Sequence, residues 1–401
     1  MKSKHLEILK ALCNLPTAPY CEQHVIAWLL AWARQQGKQI SVRRDRAGNV
    51  HLEYVRGARS KTPLVIEAHM DHPGFVVKGR KRDGTIVADF RGTVKPSHIK
   101  GGRAKFWVEE TRNAKRETRN DEAGGRWVVA DVLDVKSIHG RKFLDVRLKV
   151  RDKKAPPLPP GTLGMWDLPD AAVKGEIFSA RVCDDLGGVA AMICLLEELI
   201  ARKTQTHVIG LCSRAEEVAF AGVLAVCENG WIPKGSRVIG LETSKASAAS
   251  GGAAQGGGAV VRVGDRIGIF SAGLTHFISQ AAGHISDDDS SFKYQRRLMD
   301  GGTCNSTAFL AWGYDSAAMC VALGNYHNQT VKGEIGWGDG AKAGPGIASE
   351  TIHLGDFEGM VRILIQVAET IGKYKPGFGA VRERFAKMHR EEQVALLYAK
   401  S

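Results

Sequence analysis

The chain has 401 residues, 44% of them hydrophobic and 25% charged, an ordinary globular composition that excludes disordered, collagen-like and fibrous classes. Its longest apolar runs, Val189 to Leu196 and Ala317 to Leu323, fall far short of the roughly 18 to 20 residues of a membrane span, and Glu7 and Lys10 break the apolar stretch a secretory signal would need. The net charge is +13, but residues 76–165 alone carry 22 Lys and Arg against 11 Asp and Glu, which leaves the remainder close to neutral. A cytoplasmic protein without a membrane partner is expected. Eight cysteines are scattered with no C-x-x-C pair, the pattern of buried thiols in a reducing compartment rather than of a disulfide framework or a structural zinc site.

In chain order, residues 4–14 and 20–36 show helical apolar spacing, with Trp28 and Trp32 one turn apart and Gly37 placed to end the second helix. Residues 63–69 read as a short buried strand. From 76 to 165 the texture changes to short β-rich stretches, 85–90, 126–132 and 143–150, closed by Pro156-Pro-Leu-Pro-Pro-Gly161. This predicts a small inserted β domain. Beyond it, helix 185–202, strand 207–213, helix 218–229 and strands 237–242 and 317–323 lead to a glycine-rich loop, 328–349, and an amphipathic helix, 356–373. Strands alternating with helices predict a three-layer α/β/α domain (residues 1–75 and 166–401) with a mostly parallel sheet, interrupted by a β-barrel-like insert at 76–165. No solenoid-length repeat is present.

Five segments place acids or histidines at the ends of apolar strands, where open α/β sheets bind ligands. They are His69-Met-Asp71-His72, Asp184-Asp185, Glu216-Glu217, Glu242 and His327. Each alone fits a plain structural use, such as a strand-end hydrogen bond, a helix cap or a first-turn acid. His72, His276, His284 and His353 compete with His327 for the histidine role, and His353 suits a helix cap better. Taken together, two histidines and three carboxylates make the nitrogen and oxygen set suited to a pair of zinc-like ions with room for water.

In this order the residues resemble the cytosolic dinuclear-zinc aminopeptidases, which include the tetrahedral and glutamyl aminopeptidases. The likeness runs from the N-terminal helices to the last helix and includes the insert. The resemblance implies that His69, Glu242 and the bridging Asp184 hold one metal ion, and that Asp184, Glu217 and His327 hold the other. It makes Glu216 the general base acting on a water between the ions, and Asp71 the group that orients His69. It also implies two divalent cations per subunit, with zinc first and cobalt or manganese as alternatives, short peptides as substrates, and a homo-oligomer, commonly a dodecamer, assembled through the insert. The chain departs from the pattern at Glu242, where tetrahedral members usually have Asp, and at Cys304-Asn305 after Gly301-Gly302-Thr303, where an acid is common.

Three other readings compete. A related dinuclear fold removes acyl groups from amino acids or splits dipeptides. The basic insert, with Lys78, Arg80, Lys81, Arg82 and Arg112, Lys115, Arg116, Arg119 among aromatics, suggests nucleic acid, but its interleaved acids favour a solvated or subunit-contacting surface. A scaffold without activity is disfavoured, because every ligand position holds a coordinating side chain.

Overall fold

A computed structural model describes residues 1–109, 125–140, 142–246, 252–330, 345–377 and 379–393. The chain opens with helices α1 (Ser3–Cys13) and α2 (Gln23–Gln35), then strands β1 (Ser41–Arg44), β2 (Val50–Val55) and β3 (Leu64–His69). A second unit follows, built from β4 (Gly74–Arg80), β5 (Ile86–Arg91), the one-turn α3 (Pro96–Ile99), β6 (Arg103–Glu109), β7 (Gly125–Lys136), β8 (Leu144–Val150) and β9 (Leu163–Trp166). After β10 (Ala172–Lys174) and β11 (Ile177–Ala180), the first unit resumes with α4 (Leu186–Arg202), β12 (His207–Ser213), α5 (Ala221–Asn229), β13 (Arg237–Lys245) and β14 (Ala259–Gly264). It ends with α6 (Ala272–Asp288), β15 (Tyr294–Leu298), α7 (Asn305–Ala311), β16 (Asp315–Leu323), β17 (Gln329–Thr330), β18 (Gly346–Ile347), β19 (Glu350–His353), α8 (Leu354–Thr370) and α9 (Gly379–Met388).

The large sheet has the order β1-β2-β12-β3-β13-β16-β14-β15. Strands β12, β3, β13 and β16 run parallel to one another, as do β14 and β15. The central strands are covered on both faces, which is why they read as unbroken apolar runs. Helices α1, α2, α4, α6 and α8 pack one face around Leu12, Leu29, Leu195 and Leu364, while α5 and α7 pack the other around Val226 and Phe309. The structure is therefore the expected α/β/α sandwich with a mostly parallel sheet.

Strands β4-β5-β8-β7-β6-β9 close into an antiparallel barrel between β3 and β10. Its interior is aromatic, with the Phe75 ring 4.9 Å from both Phe90 and Trp166. Gly164 lets Phe106 lie directly on the β9 backbone, since a Cβ there would stand 2.5 Å from the ring. Three barrel strands match the expected β stretches to within a few residues. The remaining three, β4, β6 and β9, had not been expected.

Other differences have local causes. The helix expected from 218 begins at Ala221, because Ala219 and Phe220 adopt φ of +76° and +59° in a tight turn. The last long helix begins at Leu354, with His353 as its cap accepting the Gly355 N–H. At the glycine-rich segment, β17 pairs with β18, and residues 331–344 lie outside the described residues, as do Arg112, Lys115, Arg116 and Arg119. Among the described residues no helix is long and apolar enough to cross a membrane. All eight cysteines are free thiols, and all but Cys21 are buried.

Candidate metal centre

Parallel strands bring their C-terminal ends to one edge of a sheet, and the five candidate segments meet there. His69 is the last residue of β3, Glu242 lies within β13, and His327 follows β16 by one turn. Glu216 and Glu217 form a single 3-10 turn just beyond β12. Asp184 immediately precedes Asp185, whose carboxylate accepts the Gly188 N–H and caps α4. Of the two adjacent aspartates, one is thus a helix cap and the other faces the cluster.

Two triads result, His69 with Asp184 and Glu242, and Asp184 with Glu217 and His327, each with ligand atoms within 4.8 Å of one another. Asp184 belongs to both. Its Oδ1 lies 3.6 Å from His69 Nε2 and its Oδ2 3.5 Å from His327 Nε2. Glu216 is in neither triad, although its Oε2 lies 4.0 Å from His69 Nε2.

Both rings are oriented through their other nitrogen. His69 Nδ1 donates to the Asp71 backbone carbonyl at 3.0 Å, and His327 Nδ1 donates to the Thr93 carbonyl at 2.9 Å. Each Nε2 is thereby left facing the carboxylates. The Asp71 carboxylate lies 3.5 Å from His69 Nδ1 but is mainly engaged by the Glu216 and Glu217 backbone N–H groups, at 2.9 and 3.1 Å. It caps the turn that presents both glutamates. The same turn is held from below by buried Glu22, which accepts from Ala215 N and Arg214 Nε, and by Asn49, which accepts from Arg214 N. Gly222 must be glycine here, because a Cβ would stand 2.5 Å from the Arg214 backbone. His72 is a tie rather than a cluster member: Nδ1 donates to the Asp184 carbonyl at 2.5 Å and Nε2 meets Asn328 Oδ1 at 3.0 Å. His276 and His284 lie along α6 and do not line the cavity.

The cluster is buried and crowded with acids. Burial pushes the Glu216 carboxyl well up, and neighbouring Glu242, Glu217 and Asp71 add to this against the opposing charge of His69. Burial likewise pushes Glu242 up to about 8. For Asp184 burial acts in the same sense, but hydrogen bonding to His327 and His69 outweighs it and holds the group below the usual carboxylate range. Burial disfavours charge on His69 and His327, yet Asp184 with its neighbouring acids raises both. Asp184 Oδ1 and Glu217 Oε1 are buried without a hydrogen bond; Glu217 Oε1 lies 3.0 Å from His327 Nε2 but is not aligned with it. Such orphaned oxygens cost about 1–3 kcal/mol each unless something else binds them. Two imidazoles and three carboxylates around a shared aspartate fit divalent cations of the zinc type.

A cavity of about 450 Å³ opens on the cluster. It is also lined by residues to which the sequence reading gave no role, among them Tyr326, stacked on His327 with centroids 3.8 Å apart, and Arg262 of β14. Of the departing pair Cys304-Asn305, Cys304 forms part of its wall beside Thr303. Glu350, on β19, accepts from Cys183 N and Asp184 N and so fixes the Asp184 backbone. A charge inside an apolar strand, as in Ala-Val-Val-Arg262-Val-Gly, is a signal in the sequence that could have found Arg262. Thr93 acts through its carbonyl and leaves no such signal.

The family profile of the M42 glutamyl aminopeptidases matches residues 48–332, more than half of the chain. Among solved structures, the chain is similar to the TET aminopeptidase of Thaumarchaeota archaeon SCGC AB-539-E09, with a TM-score of 0.69 at 16% identity over 93% of this chain and 100% of that one. It is similar to aminopeptidase APDkam598 of Desulfurococcus kamchatkensis, with a TM-score of 0.68 at 18% identity over 91% of this chain and 94% of that one. It is also similar to the TET1 peptidase of Pyrococcus horikoshii, with a TM-score of 0.65 at 18% identity over 91% and 99%. No curated protein sequence matches. At these identities the structural likeness concerns the fold, whereas the profile match reaches the sequence itself, from the loop before β2, across the β3, α4, β12 and β13 ends, to just past His327. The chain belongs to the M42 glutamyl aminopeptidase family, and is a peptidase.

Proposed function

We propose that the protein releases amino acids one at a time from the free N-terminus of short peptides, with His69, Asp184 and Glu242 holding one divalent cation and Asp184, Glu217 and His327 a second. The observation that carries this reading is the placement of Asp184, with one oxygen turned to each triad. When bound, a cation pair polarises the scissile carbonyl and makes a water nucleophilic near neutral pH. Zinc suits the donor set best, with cobalt or manganese as alternatives.

Glu216 is the general base. It lies largely buried beside the triads without belonging to either, and desolvation raises its proton affinity. Its carboxylate accepts the proton of the attacking water and returns it to the leaving amine. Asp71 holds the Glu216-Glu217 turn so that one carboxylate faces the cation site and the other the scissile bond. The acidic wall also suits the positively charged α-amine of a substrate, which favours removal of terminal rather than internal residues.

The barrel, residues 76–165, is read as a module for assembly and access, separate from a catalytic domain formed by 1–75 and 166–401. The Pyrococcus horikoshii TET1 peptidase assembles into a tetrahedron or a large octahedral shell, and a PhTET1 form is a dodecamer. A homo-oligomer of this kind, in the cytoplasm, would admit short peptides and exclude folded proteins. Incubating the cation-loaded protein with aminoacyl-anilides and N-acetyl amino acids tests the reading. Chelator-sensitive cleavage of the anilides is expected, and cleavage of the N-acetyl compounds alone would make the protein a deacylase.

A further inference from the structure

Ionised carboxylates accept hydrogen bonds and donate none, and the turn beside the cluster supplies a donor that the scheme above leaves unused. Tyr326 opens the 3-10 turn Tyr326–Asn328 beyond β16, lies partly buried against the main core, and lines the cavity. Its ring stacks on that of His327, with centroids 3.8 Å apart and planes at 23°. The turn is strained and tied at both ends. Asn325, His327 and Asn328 have φ of +55°, +54° and +62°, where residues other than glycine are uncommon outside functional sites. Asn325 Nδ2 donates to the Ser349 carbonyl at 2.8 Å, and Asn328 Nδ2 donates to the carbonyls of Arg181 and Ala348 at 2.9 and 3.1 Å. Inward-facing tyrosine hydroxyls normally find a partner. Tyr54 donates to the Leu199 carbonyl, Tyr314 to that of Ile232 and Tyr374 to Asp315 Oδ2. Among the described residues the Tyr326 hydroxyl has no such bond, although it lies in the field of Glu217, Asp184, Glu216 and Glu242.

We propose that Tyr326 is a catalytic residue, its hydroxyl donating a hydrogen bond to the scissile carbonyl oxygen as that oxygen gains negative charge. This role rests on the aminopeptidase reading of the cluster. When the water oxygen bonds to the carbonyl carbon, a water proton passes to Glu216 and the carbonyl π pair moves onto its oxygen. When the C–N bond breaks, that pair re-forms the carbonyl and the proton held by Glu216 goes to the leaving amine. Tyr326 gives up no proton in either step. Its O–H bond strengthens as the oxygen becomes an oxyanion, so it stabilises the transition state more than the bound substrate. Stacking on His327 fixes the ring beforehand, and the hydroxyl need not be reoriented as the charge develops.

The test compares Tyr326→Phe with the unsubstituted protein, both full-length and cation-loaded, since Phe keeps the ring on His327 and removes only the hydroxyl. With the aminoacyl-anilide that is cleaved fastest, kcat is expected to fall by about 10²- to 10³-fold while KM changes by less than about threefold. Cation content by elemental analysis and the melting temperature stay at the parent values, because the hydroxyl has no partner in the folded protein. A second readout is binding. The phosphonic acid analogue of leucine, whose tetrahedral anion mimics the charged intermediate, should bind Y326F about tenfold or more weakly, whereas leucine itself should inhibit both proteins alike. A kcat within about threefold of the parent, or an equal loss of affinity for the phosphonate and for leucine, overturns the assignment. Loss of cations or of the fold from Y326F also overturns it, and makes Tyr326 a support for His327. Failure of the unsubstituted protein to cleave any aminoacyl-anilide overturns the peptidase reading and this role with it, whereas unchanged turnover in Y326F overturns the role of Tyr326 alone.

Discussion

Glu216 and Glu217 are neighbours in sequence that line one cavity yet face different partners; a tight turn allows this, whereas a strand would send one of them to the opposite face of the sheet. Glu217 Oε1 points at His327, while Glu216 stands free of both triads. Substituting Glu216 by Gln keeps the shape and removes the base, so cation content measured by elemental analysis should stay near that of the parent. Turnover of an aminoacyl-anilide should fall by about 10²- to 10⁴-fold; retention of most activity would take the base role from Glu216. Asp71→Asn acts one step back. Its amide would turn a donor toward the Glu216 or Glu217 N–H, or leave one of them with a weaker acceptor, so activity should drop by about tenfold or more and stability by about 1–3 kcal/mol in denaturant titration. A variant with intact stability and full activity would show that the cap does not position the turn.

At the scale of elements, the ends of β3, β12, β13 and β16 and the start of α4 make the site, and they were the most legible parts of the sequence. Strands buried on both faces must be apolar throughout, so an acid or histidine at their ends stands out. The barrel was only partly legible. Strands β4 and β6 lack the alternation of a half-exposed strand, because Gly74–Val77 and Ala104–Phe106 are buried on successive positions and the exposed charges gather at the strand ends. The β14 to β15 region gave little signal, since Arg262 interrupts one strand and Tyr-Gln-Arg-Arg-Leu is a largely exposed edge. The largest omission was the contact between the units: the barrel loop after β5 supplies the Thr93 carbonyl to His327, and Lys142, before β8, donates to the Val218 carbonyl in the glutamate turn. Backbone acceptors carry no residue signature. Gly92, at φ +111°, shapes that loop, and a Cβ there would stand 2.8 Å from the Pro73 ring. Gly92→Val should therefore displace Thr93 and weaken cation affinity by about tenfold at one of the two triads, measured by calorimetry. Unchanged affinity at both would detach the barrel from the metal centre.

At the scale of the whole molecule, the charge that first suggested a polyanion partner is partly balanced inside the barrel, where Lys78 pairs with Asp145 at 2.7 Å and Arg151 approaches Asp131 at 3.6 Å. The α/β unit has the opposite character, a cluster of buried acids at the strand ends. Burial raises Glu67, Glu242 and Glu350 to about 7, 8 and 7. Each is therefore higher in the folded than in the unfolded chain, so the folded, cation-free protein binds protons more tightly. That contribution to stability is complete below the ordinary carboxylate range and is lost as pH rises through about 7 to 8. The melting temperature of chelated protein should accordingly fall between about pH 5 and pH 8, and divalent cations should largely remove the fall. A melting temperature that rises over this range in chelator would contradict the account.

The most direct test of the central claim is a cation titration of the chelated protein, followed at once by calorimetry and by hydrolysis of an aminoacyl-anilide. Two cations should bind per chain, with no hydrolysis before they are added and activity appearing as the sites fill. Full activity in excess chelator, or hydrolysis unaffected by substituting Asp184 with Asn, would contradict it.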